Sequence, residues 1–158
     1  MIGTVGSTQK AALARKAGCK LVIVTANENF VGRVRKITNN VGVPVVYDGV
    51  GKDTFMGSLD CLMPLRMMVS YGNASGMVPP FDPAILSRKG SLFLTRPTLA
   101  TYIAKRADLV KAARELFAVV KKGAVRITVN QTYPLRHAAE AHRDLEARKT
   151  TGSTILIP

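Results

Sequence analysis

The side chains able to do acid–base, nucleophilic or metal chemistry are few and do not assemble into a pattern. His137 and His142 stand five residues apart, whereas two metal ligands on one helix face need a spacing of four. Cys19 and Cys61 are too few for a disulfide framework or a complete zinc site, and both lie in apolar stretches, as buried reduced thiols do. Asp48 closes an apolar strand with no second carboxylate near it in the pattern. Lys10 follows Gly6-Ser7 by one helical turn, and on spacing alone it is a solvated helix lysine. No catalytic acid, base or nucleophile stands out. That silence suits chemistry carried by a bound cofactor that the protein only orients.

Charge is the outlying property. Lys and Arg number 23 against 10 acidic residues, a formal +13, which favours an anionic partner. The cations are spread over several segments, including Arg33, Arg35, Lys36, Lys105, Arg106, Lys111 and Arg114. No aromatic-interleaved patch accompanies them, so nucleic acid is expected to bind only non-specifically and to release with salt. Hydrophobic residues at 47% exclude a disordered chain, and no run approaches the roughly 20 apolar residues of a membrane helix. The first residues lack the basic region and long apolar run of a signal peptide. A cytoplasmic protein without membrane contact is the expectation.

The elements that must position these residues alternate between strands and helices, the signature of βαβ units and a parallel sheet. Strands are expected at 2–5, 21–24, 43–50, 66–71, 90–95, 124–130 and 153–157. The all-apolar run Leu21-Val22-Ile23-Val24 reads as a strand buried on both faces. Helices are expected at 8–17 with Ser7 as N-cap and Gly18 as terminator, and at 27–38, 53–61, 105–121 and 134–148. The 105–121 helix carries Leu109, Ala113, Leu116, Phe117 and Val120 on one apolar face. Residues 72–83, rich in Gly, Ser and Pro, read as a loop. No repeat or linker is visible, which predicts one domain over 1–158.

Five runs carry a resemblance. Gly3-Thr4-Val5-Gly6-Ser7 with Lys10, Val45-Val46-Tyr47-Asp48-Gly49-Val50-Gly51, and Ser70-Tyr71-Gly72-Asn73-Ala74-Ser75-Gly76 are three of them. The others are Gly90-Ser91-Leu92-Phe93-Leu94-Thr95-Arg96-Pro97 and Leu145-Glu146-Ala147-Arg148-Lys149-Thr150-Thr151-Gly152-Ser153. In order and over the whole chain, they resemble the zeta-crystallin-like, zinc-independent quinone oxidoreductases of the medium-chain dehydrogenase/reductase superfamily. The match is to the second half of such an enzyme, and it implies a partial NAD(P)-binding Rossmann domain with the C-terminal segment of that fold. A Rossmann sheet runs 3-2-1-4-5-6 with a glycine-rich turn after its first strand. Ile2 to Val5 match the second strand, so the first strand and the glycine-rich turn are missing and the sheet is expected to carry a central gap.

The resemblance also implies roles. It makes Lys10 the cation for the 2′-phosphate of NADPH, with Gly6 and Ser7 beside it. Thr25 stands where the family commonly has a polar-aromatic pair, with Val24 before it; Thr25 can donate one hydrogen bond but offers no ring, which implies weaker NADPH retention. Tyr71, Gly72 and Asn73 match the segment whose backbone approaches the ribose and pyrophosphate. Phe93, Leu94 and Thr95 match the segment that holds the nicotinamide carboxamide, and Arg148 a C-terminal arginine that reaches the cofactor. The plain reading of Arg148 is a cation at a helix C-terminus. Hydride transfer from NADPH to a quinone or other small electrophile follows, with a homodimer paired along the 90–95 edge strand. Two alternatives stand beside it: a remnant that binds nucleotide or dimerises without turnover, and a basic nucleic-acid-binding protein.

Overall fold

A computed structural model describes all 158 residues, and packing divides them into two compact units, Met1–Thr101 and Tyr102–Pro158. The boundary falls in a four-residue helix, α5 (Leu99–Tyr102), which follows Pro97.

The first unit opens with β1 (Ile2–Val5), α1 (Thr8–Lys16), β2 (Leu21–Val24) and α2 (Phe30–Ile37). Local chemistry sets both helices. Ser7 accepts a hydrogen bond from the Lys10 N–H at 3.3 Å, and Asn29 accepts from the Gly32 N–H at 3.1 Å, each satisfying a donor with no helical partner. Gly18 (φ +96°) takes the left-handed conformation just past the C-cap of α1. After α2 the chain turns through Asn39, Asn40 and Gly42, all at positive φ. Gly42 has a second constraint, since a Cβ there would lie 2.8 Å from the Cys61 carbonyl oxygen.

Next come β3 (Val43–Asp48), α3 (Phe55–Asp60), β4 (Leu62–Ser70), α4 (Ala84–Arg88) and β5 (Phe93–Thr95). Strands β3, β4 and β5 form one parallel sheet in that order, and β1 pairs with β2 in a separate parallel sheet. The expected gap is therefore present: no ladder joins β1 to β3. Side chains bridge beneath it. Ile23, Val34 and Cys61 are buried together, with Ile2, Phe30, Val43 and Val46 packed around them. The main core lies on one face of the three-stranded sheet, where Met68 meets Phe55, Leu59, Leu62 and Leu92.

The opposite face is bare. Val45, Met67 and Phe93 stand in register across the three strands and are all exposed, Phe93 by 58%. Tyr47, next on the same face, is 73% exposed. Strand β2 likewise departs from expectation: only Ile23 is buried and Leu21 is exposed.

The second unit holds α6 (Arg106–Lys121), β6 (Val129–Pro134), a 3-10 turn (Leu135–His137), α7 (Ala138–Glu146) and β7 (Ser153–Ile157). Strands β6 and β7 pair in parallel. The strand expected at 124–130 lies some five residues later, and Pro134 ends it rather than opening a helix. Tyr133 on β6 donates to Asp144 on α7 at 2.9 Å, and Lys149 donates to the same carboxylate at 3.2 Å. The apolar stripe of α6 forms as expected, yet no residue of α6 is buried. Ala141 is the unit's single buried hydrophobic residue.

Candidate functional site

The C-terminal ends of the parallel strands gather most of the predicted residues, as is usual for ligand sites of open α/β sheets. At the end of β1, Gly6 leads into the Ser7 cap, and a Cβ added to Gly6 would meet nothing within 4 Å. Lys10 lies in the first turn of α1, which holds no acidic residue. The helix start thus brings together backbone N–H groups, the Ser7 hydroxyl and Lys10 next to the open side of Gly6, residue types whose chemistry fits a phosphate group. Thr25 sits beside them at the end of β2, but its hydroxyl donates to the Val5 carbonyl at 3.2 Å. The donor expected to face a ligand is spent on the backbone, tying the ends of β1 and β2 together.

Tyr71, Gly72 and Asn73 follow β4, and their geometry has a cause inside the protein. A Cβ on Gly72 would fall 2.4 Å from the Gly49 carbonyl oxygen, so glycine is required there by the adjacent loop. The Tyr71 ring lies over Gly49, whose own Cβ would be 2.8 Å from the phenol oxygen. Beyond them residues 49–53 and 72–76 are zipped by backbone bonds. Ala74 N–H donates to Gly49 O (3.2 Å), Ser75 N–H to Val50 O (2.8 Å) and Lys52 N–H to Gly76 O (3.1 Å). The Ser75 side chain adds a bond to Val50 O at 2.8 Å and accepts from the Asp53 N–H at 3.0 Å.

Asp48 anchors this pair of loops, a role the sequence reading did not assign. Its buried carboxylate accepts from the N–H groups of Val50 (2.9 Å) and Gly51 (3.0 Å), from Thr54 Oγ1 (2.8 Å at the closer oxygen) and from Ser58 Oγ (2.7 Å). Burial pushes its pKa up, but hydrogen bonds from Gly51, Ser58, Thr54 and Val50 outweigh that and hold it below the ordinary carboxyl value. A signal was present in the sequence: Thr54 and Ser58 are four apart, the spacing that sets two hydroxyls on one helical face.

Arg96, also unassigned, clamps two strand ends. Its Nη1 donates to the carbonyls of Ser70 (2.9 Å) and Gly72 (3.1 Å). The Asn73 amide, oriented to satisfy both of its polar atoms, donates to Gly72 O at 2.9 Å and accepts from Arg96 Nη2 at 3.1 Å. Of the strand β5 residues, Leu94 packs against the core while Phe93 stands on the bare face, so the three do not share one surface.

Arg148 belongs to the second unit, just past α7, where it takes a left-handed φ of +58° and its N–H donates to Leu145 O at 3.0 Å. The two cysteines differ. Cys61 is buried, and burial pushes its thiol up to about 11; Cys19 is half-buried, with its Sγ bonded to Leu21 O at 3.3 Å. No three His, Cys, Asp or Glu side chains converge as a metal site. His137 lies 3.5 Å from Glu140. No helix is long and apolar enough to cross a membrane.

A family model described as zinc-binding dehydrogenase matches residues 17–156. The chain belongs to that family. It is 49% identical to a quinone oxidoreductase of Pseudomonas aeruginosa over 158 residues, all of this chain and 49% of the relative. A 2-haloacrylate reductase of a Burkholderia species is 45% identical over 159 residues, 48% of its length. The crystal structure of Escherichia coli quinone oxidoreductase complexed with NADPH superposes with a TM-score of 0.96 and 48% identity, covering 99% of this chain and 49% of that one. The chain thus spans about half the length of the relatives it matches, and it corresponds to their C-terminal half. The expected quinone oxidoreductase resemblance and the Rossmann-like parallel architecture are both borne out.

Proposed function

We propose that these residues form the cofactor-domain portion of an NADPH-dependent quinone oxidoreductase acting in the cytoplasm. The observation that carries this reading is the acid-free start of α1, where Gly6 leaves open space at a strand end and Ser7 and Lys10 follow in the cap and first turn. Bound NADPH supplies a hydride; with one proton from solvent, its transfer reduces a quinone to the hydroquinone and leaves NADP⁺. Lys10 neutralises the 2′-phosphate, the Ser7 hydroxyl donates to it, and Thr25 borders it through an oxygen that can only accept. The 71–73 segment approaches the ribose and pyrophosphate, the 93–95 segment holds the nicotinamide carboxamide, Arg96 ties the two segments together, and Arg148 supplies a further cofactor contact.

Strand β5 has one hydrogen-bonded neighbour, β4, so its outer edge is available to pair with β5 of a second copy across a two-fold axis. A second reading, nucleotide binding without turnover when these 158 residues stand alone, is favoured by the missing ladder between β1 and β3. No glycine-rich turn borders that gap to offer amide donors to a pyrophosphate.

Calorimetric titration of the folded chain with NADPH and NADH tests the reading. NADPH is expected to bind weakly and better than NADH, and Lys10→Ala to weaken NADPH about tenfold while leaving NADH unchanged. Absence of binding by both nucleotides to folded protein overturns it. Sedimentation velocity reads the dimer, and oxidation of NADPH by a simple quinone separates turnover from binding.

A further inference from the structure

The face of the β3–β4–β5 sheet turned away from the core is an uncovered layer of side chains. Val45, Met67 and Phe93 cross it in one row, and Tyr47, Val69 and Thr95 in the next. Beyond them the Tyr71 ring lies over Gly49. Their neighbours one residue along, Val46, Met68 and Leu94, pack into the core instead, which fixes the orientation of the face. Val45, Tyr47, Met67, Tyr71 and Phe93 are all exposed. With aromatic side chains of roughly 150–250 Å² each, the uncovered part of these five amounts to about 600 Å². That reaches the upper end for the largest apolar patch on a monomer, roughly 300–600 Å², the size at which such patches mark contact sites.

Composition selects the partner. Tyr, Phe and Met are concentrated in protein interfaces, and Lys, Glu and Asp are depleted from them. In a chain of formal charge +13, none of the residues in the two rows is charged. Anionic lipid or nucleic acid needs cations on the contact face, which these rows lack. The face is also complementary to itself. A two-fold axis along β4 sets β3 of one copy over β5 of the other, so the large Phe93 opposes the small Val45 and Met67 meets its own mate. Tyr47 then opposes Thr95, so its hydroxyl is not left among apolar groups alone. Stacked sheets lie about 10 Å apart with strands within roughly 30° of each other, which the twist of each sheet permits.

We propose that this face joins two copies of the chain as a sheet-on-sheet dimer. The two copies together bury roughly 1,200 Å², the lower end of specific protein interfaces, which places the dissociation constant in the micromolar range. The contact is made by side chains of the face, is separate from pairing along the β5 edge, and needs no bound nucleotide. Both copies carry the same charge, so salt that screens their repulsion tightens the dimer, the reverse of its effect on binding to a polyanion.

The test is sedimentation velocity on the full 158-residue chain without nucleotide, over a dilution series spanning the micromolar range. The same series is followed by the carbon-13 signals of the methionine methyls. A reversible dimer is expected, tighter at high salt than at low, with the Met67 methyl shifting with concentration and the Met56 methyl, on α3, unmoved. Tyr47→Lys is expected to weaken the dimer at least about tenfold, because it buries an unpaired charge. It is expected to leave the urea midpoint unchanged where both proteins are monomeric, since residue 47 is exposed in the single copy. A dimer that Tyr47→Lys leaves intact, or one whose formation does not move Met67, belongs to the β5 edge or another surface and overturns the proposal. So does a chain that stays monomeric throughout, which leaves the face to a different polypeptide. A Met67 shift produced by phosphatidylglycerol vesicles and not by concentration assigns the face to lipid and overturns it as well.

Discussion

Gly72 and Gly49 approach so closely that a Cβ on the first would sit 2.4 Å from the carbonyl oxygen of the second. This contact joins the end of β4 to the loop after β3 and fixes where the Tyr71-Gly72-Asn73 segment can lie. Gly72→Ala forces one of the two backbones to move. It is expected to destabilise the folded state by roughly 1–3 kcal/mol, the usual cost of overpacking. Urea unfolding checks this, and an unchanged midpoint shows that the loops part freely.

Asp48 holds the same loops from inside. Its folded pKa lies below the ordinary value of 3.8, so its contribution is present above that pH and is lost as pH falls through the depressed value. Stability measured from pH 7 down to pH 3 is expected to fall steeply only below about pH 4. Asp48→Asn is expected to be less stable at pH 7 by about 2 kcal/mol, because an amide NH₂ cannot accept where the second carboxylate oxygen does. The variant's stability should also change less between pH 5 and pH 3. Parallel pH profiles for the two proteins exclude Asp48 as the source of the slope.

Arg148 occupies a left-handed position that glycine or asparagine usually fills after a helix. The strain of an L-residue there is about 1 kcal/mol. Arg148→Gly is therefore expected to raise stability by about 1 kcal/mol while weakening NADPH binding, the pairing of effects that a functional arginine in a capping position produces. Thermal unfolding and calorimetry on the same variant separate them. Higher stability with unaltered NADPH affinity leaves Arg148 as a helix-end cation and nothing more.

Much of the site's skeleton was legible in residues alone. Ser7 capping α1 and Gly18 ending it each follow from local rules in which a side chain or a missing Cβ answers a backbone need. The absent ladder between β1 and β3 followed from the resemblance, since the matched runs begin at the second strand of a known strand order. Long-range partnerships were not legible. Nothing about Arg96 in sequence says that it reaches the carbonyls of Ser70 and Gly72, and Thr25 gives no sign that the Val5 carbonyl accepts its hydroxyl hydrogen bond. Burial was misjudged for one reason throughout. An apolar stripe, as on β2 or α6, shows what a segment can bury but not whether this chain supplies the surface to cover it.

That distinction yields the last prediction. The first unit has two connected clusters of buried side chains, whereas in the second Ala141 alone is a buried hydrophobic residue. Strands β6 and β7 and helices α6 and α7 keep their backbone bonds, but few apolar side chains oppose their opening. Exchange through local opening reports that difference directly, because its free energy falls toward zero where buried contacts are few. Amides of α6, β6 and β7 are expected to exchange at least a hundredfold faster than those of β3 and β4, a gap of about 2.7 kcal/mol. If a second copy or another polypeptide covers the Leu116 and Phe117 face, exposed here by 52% and 69%, protection of α6 rises with its concentration while β4 is unaffected. Equal protection across both units, independent of concentration, shows instead that the second unit needs no further cover to be stable.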